Sequence, residues 1–194
     1  MTVVRGIYTD GSGNLGRCGY AAVITFIDGK TIELGGAEPN STNHRAELWG
    51  LILALEYLKD NPQPTPTPIF SDSQYAVDGL NEHWVANWKQ RNWYNIKGRP
   101  VKNQDLWERL EALRSIPATF HHLRGHTDAL GKKGKDALAK NLSRFGADTE
   151  VHNQGNLAAD KVADAFRLGS GELGDWETGR WGESIRMNGR MLKR

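Results

Sequence analysis

The chain has 194 residues, 38% apolar and 25% charged, which is enough for one sizeable soluble core with a tail besides. No apolar run approaches the roughly 20 residues of a membrane span, so no membrane association is expected. A single cysteine, Cys18, excludes an internal disulfide and is compatible with a reducing compartment. The net charge of +2 conceals an asymmetry. Residues 1–80 carry 5 Lys/Arg against 9 Asp/Glu, residues 81–144 carry 13 against 6, and residues 145–194 carry 7 against 8. The basic middle block is either a footprint for a polyanion or a solvated lysine-rich surface.

The N-terminus, MTVVRGIYTDG, enters a strand pattern at once and does not read as a signal peptide. A free-standing cytoplasmic protein is expected. Residues 3–9 are β-prone and end at the turn cluster Asp10-Gly11-Ser12-Gly13. Residues 19–27 and 30–35 bracket Asp28-Gly29, a tight-hairpin dipeptide, so three antiparallel strands follow one another. Ser41, Thr42 and Asn43 are N-cap candidates for a helix over residues 44–59. Leu48, Leu51, Ile52, Leu55 and Leu58 give that helix a wide apolar face. Four prolines between residues 61 and 68 then exclude helix and deliver the chain to a fourth strand at Ile69-Phe70.

Ser71 or Asp72 is expected to cap a helix running towards Leu80. Helices near residues 81–91 and 104–113 flank a loop at Gly98-Arg99-Pro100, residues 119–123 form a fifth strand, and residues 156–168 form a final helix with Asn156 as its cap. This order predicts one mixed α/β domain with helices covering the sheet.

Four acids sit at or near predicted element junctions: Asp10 in YTDGSG, Glu47 in STNHRAEL, Asp72 in FSDSQY and Asp160 in GNLAAD. Each has a plain structural reading. Asp10 suits a turn, Glu47 complements a helix dipole, Asp72 caps a helix and Asp160 faces solvent. Together they suggest carboxylates gathered in one crevice, where hard oxygen ligands suit Mg²⁺ or Mn²⁺.

The motifs YTDGS, TNHRAEL, SDSQY, LRGH and GNLAAD, in this order, resemble type 1 ribonuclease H, and WVANWKQRNW with RPVKNQDLW resembles the basic protrusion of its bacterial form. The resemblance implies a ribonuclease H-like α/β fold, a five-stranded mixed sheet of order 3-2-1-4-5 flanked by helices. It further implies hydrolysis of the RNA strand of RNA/DNA hybrids with two Mg²⁺ ions, or Mn²⁺, leaving 3′-hydroxyl and 5′-phosphate ends. By the same resemblance Asp10, Glu47, Asp72 and Asp160 are the catalytic metal ligands, and His126 relays protons or helps the product leave.

Gly11, Ser12, Gly13, Asn14, Asn43 and Gln74 would contact the RNA strand. Thr42, Trp84, Trp88, Asn103 and Trp107 would contact the DNA strand, with Lys89, Arg91, Lys97, Arg99 and Lys102 as the protrusion's cations. Trp93 is assigned to packing. A monomer acting on a hybrid substrate is expected.

The catalytic domain spans residues 1–168, with the protrusion at 81–104 and an insertion at 127–155 that the family lacks. The insertion either grips substrate or is an inert elaboration. A short helix over residues 136–145 would stack Leu138, Leu142 and Phe145. His152 competes with His126 for the histidine role, because it lies closer to Asn156. The tail, residues 169–194 with Trp176 and Trp181, packs on the domain, contacts nucleic acid or is mobile, and the sequence does not choose among these. Two other readings are a non-catalytic hybrid- or duplex-binding module and a resolvase or transposase core. The intact set of four acids speaks against the first, and TNHRAEL with the tryptophan-lysine stretch against the second.

Overall fold

The computed structural model describes residues 3–14, 16–127, 131–169, 185–187 and 190–192, with the backbone alone at residue 14 and in the last two segments. Trp176 and Trp181 lie outside the described residues. A central sheet is built from β1 (Val4–Asn14), β2 (Arg17–Phe26), β3 (Thr31–Pro39), β4 (Thr67–Ser71) and β5 (Ala118–His122). β1 pairs antiparallel with β2, β2 antiparallel with β3, and β4 runs parallel to both β1 and β5. The expected order 3-2-1-4-5 is therefore present. Two short strands, β6 (Ile185–Met187) and β7 (Arg190–Leu192), extend it to seven strands by pairing Met187 and Arg186 with Ile32 and Glu33 on the β3 edge. The tail thus covers part of a free edge, which relieves unpaired backbone groups there.

Among the described residues six α-helices flank the sheet: α1 (Asn43–Asp60), α2 (Gln74–Asn81), α3 (Trp84–Gln90), α4 (Gln104–Ala112), α5 (Lys132–Phe145) and α6 (Thr149–Leu168). Alternation along the strands builds two cores. Ile7, Ile24 and Ile69 point to one face, where Leu48, Leu51, Ile52 and Leu55 of α1 and Leu106 and Leu110 of α4 bury them. Tyr8, Val23 and Phe70 point to the other, against Ala159 of α6 and Phe145 of α5. Each layer needs the other to close its apolar face.

Several boundaries differ from the sequence-based expectation. Asp10-Gly11-Ser12-Gly13 is not a turn: β1 continues through it to Asn14, in register with Cys18 to Ala21 of β2. Gly11 is required there by proximity rather than by a turn, because a side chain would collide with the backbone of Ala46 and Glu47 in α1. Neither Ser71 nor Asp72 caps α2, since its N-cap is Ser73, and this leaves the Asp72 carboxylate unspent on capping. Asn156 does not cap α6, because that helix starts seven residues earlier at Thr149 and holds Asn156 in its interior.

Among its described residues the insertion is largely helical, with the expected short helix beginning earlier, at Lys132, and α6 starting inside it at Thr149. Its buried stripe in α5 is Gly134, Ala137 and Asn141, a row of small side chains. Leu138 and Leu142 do not stack with Phe145 against the core. They are 43% and 57% exposed, while Phe145 alone meets Phe70 edge-on at 5.9 Å.

Candidate active site

Three elements and two loops converge on one cleft of about 220 Å³, lined by Asp10, Gly11, Ser12, Gly13, Asn43, Glu47, Asp72, His126, Asn156, Leu157 and Asp160. β1 carries Asp10, the second turn of α1 carries Glu47, and the β4–α2 junction carries Asp72. α6 carries Asn156 and Asp160, one helical turn apart on one face. Asp10, Glu47 and Asp72 each offer an oxygen within 4.8 Å of the others. Asp160 lines the same cleft and its charge acts on Asp10, but it falls outside that closest set of three. All four predicted acids are thus brought together, with Asp160 at the periphery.

The electrostatics of this group are unfavourable without a cation. Burial, then the charges of Asp72 and Asp160, push the Asp10 carboxyl up to about 9. Burial, then Asp10 and Asp72, hold Glu47 well above the carboxylate range. Burial raises Asp72 as well, while facing His126 lowers it in part. Like charges that cannot be solvated shift in this direction. Among the described residues no Lys or Arg lines the cleft. Asn43 donates its amide to Glu47 Oε1 at 3.3 Å, but Glu47 Oε2 and Asn156 Oδ1 are buried with no hydrogen-bond partner. Buried oxygens without donors are costly, and a divalent cation bound by hard oxygens answers both defects at once. The donor set therefore fits Mg²⁺ or Mn²⁺.

His126 sits on the cleft wall with a left-handed backbone, φ 56°. His152 is elsewhere. Its Nδ1 pairs with the Tyr8 hydroxyl at 3.0 Å and its ring lies 4.2 Å from the Phe70 ring, on the sheet face covered by α5 and α6. Burial holds the His152 imidazole below its usual range. Geometry thus separates the two histidines: one faces the acids and one packs.

The other predicted contacts divide in the same way. Gly11, Ser12, Gly13 and Asn43 line the cleft, Gln74 stands exposed at the start of α2, and the side chain of Asn14 lies outside the described residues. Ser12 is fixed from α6, donating to Asp164 and accepting from Arg167 Nε at 2.9 Å, an anchor no sequence motif announced. Thr42 and Asn103 are the N-cap residues of α1 and α4. Arg45 ties those two helix starts together, forking onto Asp105 at 2.9 and 2.8 Å and onto Glu38 at 2.9 and 2.8 Å.

Trp84 and Trp88 are half-buried with ring centres 5.8 Å apart, and Trp93 packs against Trp88 as expected. Trp107 does not line a surface channel. It is 0% exposed, its indole N–H meets the Tyr75 hydroxyl at 3.2 Å, and its ring fills the space beside Gly79. The apolar environment between α2 and α4 outweighs any surface role. Lys89, Arg91, Lys97, Arg99 and Lys102 are all exposed around this aromatic group.

Comparison with known proteins agrees with the geometry. The RNase H family model matches residues 4–144. A ribonuclease H of Thermosynechococcus vestitus is 42% identical over 146 residues, covering 74% of this chain and 91% of that protein. The crystal structure of LC9-RNase H1, described as a type 1 RNase H with the type 2 active-site motif, superposes with a TM-score of 0.63. It is 21% identical and covers 100% of this chain and 78% of that one. A foamy viral protease-reverse transcriptase in complex with RNA/DNA hybrid superposes at a TM-score of 0.59 with 18% identity, over 87% of this chain and 20% of that one. Both superpositions establish the fold, and the sequence match with the family model establishes that this chain belongs to the ribonuclease H family.

Proposed function

We propose that this ribonuclease H hydrolyses phosphodiesters in the RNA strand of RNA/DNA hybrids, using divalent cations held by Asp10, Glu47, Asp72 and Asp160. The observation carrying this reading is the set of three oxygens from Asp10, Glu47 and Asp72 within 4.8 Å of one another, two of them on buried residues, with no Lys or Arg among the described residues lining the cleft. Bound there, Mg²⁺ or Mn²⁺ would activate the attacking water and offset charge on the scissile phosphate. Two such ions, and 3′-hydroxyl and 5′-phosphate products, are the arrangement this acid set supports.

The chain's own groups account for the rest. Asp10 is central, and the charges of Asp72 and Asp160 both act on it. His126, facing Asp72 from the loop after β5, is placed to move a proton at the leaving oxygen. The backbone of residues 11–13 and the amides of Asn43 and Gln74 read the ribose 2′-hydroxyl, a group that accepts and donates. Thr42 and Asn103, at two helix N-termini, suit a phosphate of the DNA strand. Trp84 and Trp88 give that strand an apolar surface flanked by the five protrusion cations. The foamy viral neighbour bound to RNA/DNA hybrid supports the same class of substrate.

The test is cleavage of four labelled substrates in Mg²⁺: hybrid, duplex RNA, single-stranded RNA and duplex DNA. Cutting confined to the RNA of the hybrid is expected, and equal cutting of duplex DNA would overturn the reading.

A further inference from the structure

The insertion contains a side chain that grips the backbone leading to His126. Asn141, at the centre of α5 and 2% exposed, uses its amide as a strand uses its backbone. Its Oδ1 accepts from the Arg124 N–H at 2.9 Å and its Nδ2 donates to the Arg124 carbonyl at 2.9 Å. The same Nδ2 donates to Asn153 Oδ1 of α6 at 2.9 Å, and the Asn141 carbonyl accepts from the Thr149 hydroxyl at 3.4 Å. One turn on, Arg144 Nη1 donates to the His122 carbonyl at 3.1 Å. α5 therefore holds two alternate residues on the way to His126, the last of β5 and Arg124.

This hold matters because His126 is in a costly conformation. A non-glycine residue at φ 56° is uncommon, and such backbone strain costs on the order of 1–3 kcal/mol and persists only where the surroundings impose it. β5 ends at His122, and the last sheet hydrogen bond of the segment is Leu123 N–H to the Ser71 carbonyl at 2.9 Å. Beyond Leu123, the pair of bonds to Arg124 comes from Asn141. No other residue type of that size offers a donor and an acceptor in the same plane to both atoms of one peptide residue.

We infer that Asn141 is a positioning residue for His126, and that the insertion has been joined to the active site through it. The inference rests on the reading of His126 as a working group in the cleft. Removing the amide frees Arg124 and lets His126 leave its strained position. A misplacement of about 1 Å costs up to about 10²-fold in rate, and a positioned proton-transfer group contributes about 10²–10⁴-fold in all.

A double-mutant cycle with hydrogen exchange tests this. Asn141→Ala, His126→Ala and the double variant are compared in single-turnover cleavage of labelled hybrid, with hybrid affinity measured separately. Asn141→Ala is expected to lower the rate about tenfold, to change hybrid affinity less than about twofold, and to have no further effect in the His126→Ala background. Exchange at the Arg124 amide is expected to accelerate. Equal losses in both backgrounds, or an unchanged rate with wild-type histidine, would overturn the inference and leave the reading of His126 standing. An undiminished rate in His126→Ala alone would overturn both. Asn141→Asp keeps the acceptor but not the donor and nearly the same shape. It is read by the same criteria if the alanine variant does not fold, with a loss at least as large expected, because its second oxygen faces the Arg124 carbonyl and Asn153 Oδ1.

Discussion

The α-carbon of Gly125 lies directly against the Asp72 carboxylate, so that a methyl group at Gly125 would overlap Asp72 Oδ2. The loop that brings His126 to the cleft is thus packed onto one of the acids, and both positions depend on the absence of a side chain between them. Gly125→Ala must displace either Asp72 or the loop. Overpacking of this kind costs about 1–3 kcal/mol of stability. The effect on cleavage should be larger, about 10²-fold in single-turnover rate, if both displaced groups serve the reaction as proposed. Thermal melting beside single-turnover cleavage checks this, and a variant with wild-type rate would show that the contact is incidental.

The acid cluster makes a stability prediction with a definite sign. In the cation-free protein the Asp10 carboxyl is held near 9 against an ordinary value of 3.8. Between those values the folded chain keeps a proton that the unfolded chain has released. Stability without metal must therefore be greatest below the lower value and fall as pH rises towards 9, by at most about 1.4 kcal/mol per pH unit for one proton. Glu47 and Asp72 are raised too and act in the same direction. Burial holds His121, His122 and His152 below their usual range, so urea midpoints between pH 7 and 8 in chelator, below the ordinary thiol range of Cys18, report mainly on the acids. The slope should shrink in Mg²⁺, and it should shrink in Asp10→Asn, which should also be more stable than wild type in chelator by about 0.5–2 kcal/mol.

The tryptophans should separate by role. Trp107→Ala empties a fully buried site and is expected to cost about 3–5 kcal/mol. Trp84→Ala removes a half-buried ring, and its main effect should be weaker hybrid binding, by about 1–3 kcal/mol if a base or sugar stacks there. Denaturant midpoints and hybrid affinities on the two variants check the division. A stable Trp107→Ala protein with selectively poor binding would restore that residue to the DNA surface.

Much of this was legible before any coordinates, and the failures have local causes. Asp28-Gly29 and the leucine spacing of residues 48–58 marked the β2–β3 hairpin and α1, because turn chemistry and a one-sided apolar face act over short distances. Asp10-Gly11-Ser12-Gly13 read as a turn because its glycines answer to α1, a partner remote in sequence. The start of α6 was hidden by Gly155, a poor helix residue that is present because the Tyr8 ring occupies the space of its side chain. Only the family resemblance assigns Trp107 to the DNA strand, and its neighbours in space, Tyr75 and Gly79, enclose it instead. The pairing of the tail strands has a sequence signal, since the chain between Met187 and Arg190 reads Asn-Gly, a dipeptide favoured in tight hairpins. Asn141 had no signal, since an asparagine inside a lysine-rich helix shows its role only through the backbone it touches.

The central claim is that the clustered acids hold the cations that cut RNA in a hybrid, with Asp10 at their centre. Single-turnover cleavage of a hybrid with labelled RNA, by wild type and Asp10→Asn, in Mg²⁺ and in chelator, tests it most directly. Cleavage by wild type in Mg²⁺ alone, leaving 3′-hydroxyl ends, with the Asp10→Asn rate reduced by at least about 10³-fold, is the predicted result. Cleavage that survives chelator, or an Asp10→Asn enzyme as fast as wild type, would contradict it.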